Sequence, residues 1–491
     1  MRRILLVAAV LGGCAQTGGS RHAIDSRQTP GWSADDEEFF LHGSMSAEFV
    51  PERVLQAFRA TYPELFPGWY GLIEEASSPL PIGLSRRRVA YFGGQVSVGF
   101  NCASCHLSEY RGRDGATLRV VGAAGPFDVY SFSGAVVVSM LRTAEPANME
   151  RFLSKYLARP VTLTPEQKAI IAADPMGSKG MAPDALHDIA PADLEHGDVR
   201  ALLRLFHNIR TALHLPEQLP PPVPTLPGPG RTDAFAVLST ALLGIPAKFD
   251  APVKFGYPWN LSERTWVHWD GNNRSPLGRN VEAVLGLGAP FLGRGQLVDF
   301  ALVERQTRLG ESIRAPRYPW GIDRGAAARG EAHYKARCAA CHDVPEDKRL
   351  FAVGEVGTDP NRARFFDARQ AEATNAWLKK LAVPGYKPDP VVYRSTGKYW
   401  ANDMAAVWAR SPYLHNGSVR TMRELLTKPP ARPRKWRHGS RDYDERDMGF
   451  VNEGTFEFDT SLPANLNSGH DYGTDLTEEQ KTDLIEYLKT R

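Results

Sequence analysis

Phe100-Asn101-Cys102-Ala103-Ser104-Cys105-His106 and Arg337-Cys338-Ala339-Ala340-Cys341-His342 carry one pattern twice, Cys-x-x-Cys-His. At this spacing two thiols can take up the two vinyl groups of a haem while the adjacent imidazole reaches the iron. Two other chemistries use paired cysteines. A zinc site needs a second Cys or His pair nearby, and neither motif has one. A thioredoxin-type dithiol needs a βαβ setting, which neither flank shows. The pair of motifs therefore predicts two covalently bound haem c groups. Cys102, Cys105 and His106 would hold one, and Cys338, Cys341 and His342 the other, with His106 and His342 as proximal iron ligands.

The 491 residues suffice for two or three domains around a large core. A net charge of +3 is near neutral for this length, which argues against nucleic acid or a polybasic membrane surface as partner. With 37 prolines and 44 glycines, the composition suits a loop-rich chain wrapped around prosthetic groups better than a regular α/β enzyme. Haem attachment uses four of the five cysteines, so no structural disulfide is left to explain.

The fifth cysteine closes Leu11-Gly12-Gly13-Cys14, after a short cationic start and an apolar run too short to span a bilayer. This resembles a bacterial lipobox, in which Cys14 would be lipidated and become the mature N-terminus. An ordinary secretory signal is the simpler alternative. Both readings export the chain to the periplasmic or cell-surface side of a bacterial membrane, and the lipobox reading holds it there through the lipid anchor at Cys14 alone. No later run is long and apolar enough for a transmembrane helix.

Reading onward, residues 14–35 are rich in Gly, Ser, Thr and Asp and predict a tether. Val54, Leu55, Phe58 and Tyr62 recur at helical spacing, which predicts a helix over 51–63. Further helical patterns lie around 148–158 and 198–214. Leu215 to Gly230 holds seven prolines and reads as an extended linker or surface loop. An Ala-rich helix is predicted over 324–337, directly before the second motif. The last helix starts at Thr477, with Gln480 three residues on as a capping box and Leu484, Ile485 and Leu488 on one face. The predicted fold is mainly α, with two cytochrome c-like haem domains, long loop-rich insertions and little β structure. The domains are assigned as 1–13 signal peptide, 14–35 tether, 36–310 N-terminal haem domain with insertion and Pro-rich linker, and 311–491 C-terminal haem domain.

The sixth position decides what each iron does: His or Met makes a low-spin carrier, and an open position admits oxygen or peroxide. For the second motif the candidates are His470, His415, Met404, Met422 and Met448. His470 is favoured because a glycine precedes it, another follows at Gly473, and the final helix comes directly after. For the first motif, no His or Met lies within 30 residues after His106, and Met140 sits in an apolar run that reads as core. An open first site is the expectation, although His268 could close it from a distance. The aromatic segment Trp266-Val267-His268-Trp269 either buries area or places an indole between the haems.

These segments together resemble the bacterial dihaem cytochrome c peroxidase superfamily, through the paired motifs, Trp269-Asp270-Gly271, and Pro412-Tyr413-Leu414-His415-Asn416-Gly417-Ser418. Val96 to Cys102, His268 to Asn272, Ser411 to Leu426 and Ser468 to Leu476 are similar to its rubber oxygenase branch. The resemblance implies a catalytic N-terminal haem and a bis-His electron-transfer haem ligated by His342 and His470. It also implies Trp269 between the haems and His415 lining the second one without ligating it. The superfamily's distal Glu has its counterpart candidate in Glu282, with Arg279 beside it, and Val284 and Leu285 fall near the rubber oxygenase's apolar distal pocket.

Three functions follow. The first is a haem oxidoreductase that reduces peroxide or activates dioxygen, fed by a small redox partner protein or a quinol-linked donor; a variant of it is a dioxygenase cleaving an unsaturated hydrocarbon. The second is a lipid-anchored electron carrier with both irons closed. The third is a redox or gas sensor, for which no appended signalling segment is visible.

Overall fold

The computed structural model describes residues 24–182, 185–215, 225–290 and 297–491. Helices dominate, and no sheet among the described residues has more than three strands or closes into a barrel. This is the mainly α, loop-rich fold that the sequence predicts.

A small sheet delivers the first motif. Glu48–Pro51 and Leu84–Arg88 pair antiparallel on either side of the central strand Val96–Phe100. Asn101 follows at once, and its side-chain oxygen accepts from the Ala103 amide at 3.0 Å, capping the one-turn helix Cys102–Cys105. The same side chain donates to the carbonyls of Leu41 and Gly43, at 3.2 and 3.0 Å. One asparagine thus starts the turn and ties it to the preceding helix, Ala34–His42. Gly83, at φ +92°, lets backbone pass against the motif, since a Cβ there would lie 2.4 Å from the Ser104 Cα. A hairpin, Leu107–Arg111 with Thr117–Val121, leads away.

Helices deliver the second motif. Arg324–Arg337 is capped by Asp323 and runs into Cys338 and the single turn Ala339–His342. It crosses Glu478–Leu488, where Thr477 and Gln480 form the predicted capping box and Leu484, Ile485 and Leu488 are buried. Gly330 sits at the crossing, and a Cβ there would lie 2.0 Å from the Asp483 carbonyl oxygen. Arg329 grips the Asp483 carboxylate at 2.9 and 2.6 Å beside it. The other predicted helices form as Glu52–Thr61, Pro146–Tyr156 and Val199–Ala212, meeting through Phe58, Phe152 and Phe206.

Two boundaries differ from the sequence reading. The tether stops short of residue 35: Gln28 is buried, with its amide bonded to the Val121 backbone, and Trp32 donates to Ser312 at 2.7 Å. The division at residue 310 falls within the helix Phe300–Ser312, whose Gln306 donates to the Phe39 carbonyl. One apolar cluster joins Tyr110 and Val120 to Trp408, Tyr443 and Leu484 across that division, and another joins Val281 and Leu285 to Phe366 and Tyr393. Aromatic burial over long sequence separations overrides the boundary. The predicted signal peptide, Cys14 and most of the Pro-rich stretch lie outside the described residues. No helix among the described residues is long and apolar enough to cross a membrane.

Candidate haem sites

The His106 ring nitrogen Nδ1 lies 3.0 Å from the Gly256 carbonyl, which can only accept. Nδ1 therefore carries the hydrogen, and Nε2 is left with a free lone pair. Burial, and then the positive charge of Arg279, pull this imidazole down to about 3, which keeps it neutral and able to ligate. Burial pushes the thiols of Cys102 and Cys105 up to about 12 and about 11. A raised thiol is the opposite of the lowered one that a redox dithiol uses. No group of three or more His, Cys, Asp or Glu with metal-holding geometry occurs among the described residues.

The second site repeats this arrangement. His342 Nδ1 donates to the Asn402 carbonyl at 2.6 Å, and burial lowers its pKa. Burial raises Cys338 to about 12, and raises Cys341 as well. Cys338, Cys341 and His342 line one cleft with Tyr399, Trp400 and His470. The rings of His342 and His470 have centres 6.4 Å apart. Two metal–imidazole bonds of about 2 Å each, plus two ring radii of about 1 Å, add to about 6 Å. The pair is spaced to hold one metal between them. His470 Nδ1 is buried without a partner, and burial, the His342 ring and Arg432 bring its pKa down to about 3. These residues fit a haem with two imidazole ligands.

The other candidates for this position are not so placed. His415 lines the cleft, but its ring stacks on Tyr399 at 4.3 Å, with Nε2 3.1 Å from the Tyr399 hydroxyl. Met404 and Met422 line the cleft wall, and Met448 is core. Around His106, by contrast, Phe255 is the one ring neighbour among the described residues, at 6.4 Å. His268 instead bonds Asn272 at 2.8 Å and packs on Phe235 and Tyr393.

Glu282 and Arg279 lie one turn apart on the helix Pro276–Leu287. Arg279 acts electrostatically on Cys102, Cys105, His106, His268 and Glu282, which groups it with the first motif. Glu282 is buried and accepts from the Tyr393 hydroxyl at 2.5 Å, while its Oε1 has no partner. Burial raises its pKa to about 8. The nearby wall is apolar: Cys102 packs on the cluster that contains Leu238, Leu242, Val284 and Leu285.

Two chain segments connect the sites. The Gly256 carbonyl holds His106, and the next residue, Tyr257, lines the second cleft. His268 belongs with Arg279, and the next residue, Trp269, also lines that cleft and meets Tyr257 at 6.0 Å. Trp269 is fixed on both sides, its indole N–H donating to the Lys254 carbonyl at 3.0 Å and its own carbonyl accepting from Trp400 at 2.8 Å. Asp270 pairs with Arg362 at 2.9 Å in full burial. Gly271, at φ +57°, would drive a Cβ to 2.5 Å from the Trp400 ring. Lys254 closes the join by donating to the carbonyls of Arg410 and Pro412. No local signal marks Gly256, because any residue offers a carbonyl. Lys254, Tyr257 and Tyr393 were equally unmarked, since an aromatic or a lysine in a loop has no distinguishing spacing.

A family described as RoxA-like, cytochrome c-like matches residues 397–437. That segment contains Trp400, Asn402, Arg410, His415 and Arg432, all on the second site or its supports. The match carries haem c binding and a haem-based oxidoreductase or electron-transfer role. The chain is also similar to two proteins of Sinorhizobium fredii (strain NBRC 101917 / NGR234). Uncharacterized protein y4iM is 28% identical over 281 residues, 48% of this chain and 63% of that protein. The chain thus spans just under two thirds of that relative. Uncharacterized protein y4iJ is 24% identical over 539 aligned residues, 86% of this chain and 83% of that protein.

Proposed function

We propose that the chain is an exported dihaem c-type cytochrome oxidoreductase, taking up peroxide or dioxygen at the Cys102–His106 haem and passing electrons through the His342–His470 haem and Trp269. When bound, the haems supply the one-electron and oxygen chemistry that side chains lack. The observation that carries this reading is the asymmetry of the sites: an imidazole stands 6.4 Å from that of His342, and among the described residues none stands in ring contact with His106.

The chain's own residues have separable tasks in this reading. Neutral Glu282 holds a transferable proton, with one oxygen fixed by Tyr393 and the other unpartnered. Arg279 supplies positive charge where negative charge would develop. Trp269 and Tyr257 fill the space between the sites and keep water from it. Cys14 would carry the lipid that holds the protein at the periplasmic or cell-surface side of the membrane, with a small redox protein or a quinol-linked donor supplying electrons.

Peroxide consumption by the reduced protein, compared with Glu282→Ala, tests the reading. Loss of turnover in the variant supports it, and unchanged turnover removes Glu282 from the mechanism. A dioxygenase acting on an unsaturated hydrocarbon is the second reading, favoured by the apolar cluster against Cys102. Dioxygen uptake that depends on added alkene, without peroxide turnover, would select it.

A further inference from the structure

The loop that carries His470 is held from two directions. On one side, the His470 amide donates to the Val356 carbonyl at 2.8 Å, the Ser468 hydroxyl to Gly357 at 3.0 Å, and the Tyr472 hydroxyl to Glu355 at 3.1 Å. Gly469 presses backbone to backbone there, since a Cβ on it would lie 2.2 Å from the Gly357 carbonyl carbon. On the other side stands Arg432, next to a bond from the Asn467 side chain to the Pro433 carbonyl at 3.0 Å. The Arg432 Nη1 donates to the carbonyls of Asn467 and Gly469 at 2.5 and 2.8 Å, and its Nη2 to that of His470 at 3.2 Å. Nη2 also donates to Leu425 at 3.0 Å and Nε to Thr427 at 3.0 Å, which anchors the guanidinium to the helix Met422–Leu425 and its end.

Arg432 is 5% exposed, and no carboxylate lies within ion-pair distance of it among the described residues. A buried cation placed on five carbonyls alone has a geometric task, because a planar fork can satisfy several acceptors that a point charge cannot. The loop needs such a constraint. His470 sits at φ +52°, a left-handed conformation that a residue with a Cβ adopts only when its surroundings impose it.

We propose that Arg432 is the positioning residue of the second haem site, holding the 467–470 backbone so that the His470 imidazole stays opposite His342. The proposal rests on the reading of His470 as sixth ligand. Arg432 also places positive charge beside that ligand, and such charge favours the reduced state of the centre.

The test uses the full-length, haem-loaded protein. Arg432→Lys keeps the charge and loses the fork, and Arg432→Gln loses both. Low-temperature EPR, the carbon monoxide difference spectrum of the reduced form and a redox titration are the readouts, with the first haem's spectrum as the check on folding. The expected result is partial loss of the second haem's low-spin signal and new carbon monoxide binding in Arg432→Lys. Arg432→Gln should show more of both, with a lower midpoint potential in the remaining low-spin fraction. A second haem that stays low-spin, inert to carbon monoxide and unchanged in potential in both variants, while His470→Ala opens it, would overturn the proposal alone. If His470→Ala opens nothing, the ligand assignment falls and the proposal with it.

Discussion

The imidazoles of His342 and His470 face each other across the second cleft, 6.4 Å between centres and 51° between planes. They come from distant parts of the chain, one ending a helix and the other on a glycine-flanked loop, yet their spacing is that of two ligands on one metal. His470→Ala should therefore convert the second haem from low-spin and unreactive to a form that binds carbon monoxide. Attachment at Cys338 and Cys341 should survive, as a haem-stain gel or intact mass would show.

Glu282 gives a pH prediction. Burial raises its pKa from the ordinary 4.5 to about 8, against the opposing pull of Tyr393 and Arg279. Folding favours the neutral acid, so this group's stabilising contribution is complete below about 4.5 and is lost as pH rises through about 8. Glu282→Gln, neutral at every pH, should flatten that limb of the stability profile in denaturant titrations at pH 5 to 9. Peroxide turnover by the parent should fall as pH passes about 8. In the variant it should be about 100-fold lower below pH 8 if Glu282 acts as general acid, with the gap to the parent narrowing above it.

Trp269→Phe keeps an aromatic ring but leaves the Lys254 carbonyl without its 3.0 Å partner. One unsatisfied buried acceptor costs about 1–3 kcal/mol, which chemical denaturation would register. Both haem spectra should persist in the variant. Electron redistribution between the haems after flash photolysis of a half-reduced, carbon monoxide-bound sample should slow; an unchanged rate would move the path to Tyr257.

Gly330→Ala sets two known effects against each other. In a helix interior the change normally stabilises by about 0.5–1 kcal/mol. Here the new Cβ would meet the Asp483 carbonyl oxygen at 2.0 Å. Overpacking of this kind costs about 1–3 kcal/mol, so the clash should win. A lower melting temperature with loosened second-haem spectra is expected, and a stabilised variant would refute the close crossing of the two helices.

The sequence made local features legible. The helix before Cys338 and the Thr477–Gln480 capping box are written in neighbouring residues, and they form as read. A position for Trp269 between the haems was implied only by the resemblance to the dihaem superfamily, since the spacing of an aromatic segment does not separate a bridging indole from core; in the fold Trp269 lines the second cleft. What stayed hidden was long-range. The sheet around Val96–Phe100 brings together strands up to about 50 residues apart, and short strands have little periodicity to detect. Arg432 is one of several cations between Lys428 and Arg441, with nothing local to mark it, and only the folded chain separates it from Arg434 and Arg437 on the surface. The packing of Gln28 and Trp32 was masked by a composition typical of linkers.

The central claim is that the two haem sites differ, one open and one closed by His470. Optical and EPR spectra of the purified protein, oxidised and reduced, with and without carbon monoxide and cyanide, test it most directly. The account predicts two haems per chain, one accepting an external ligand in at least one redox state and the other low-spin and unreactive in both. Two low-spin haems that ignore both ligands would contradict it and make the protein an electron carrier.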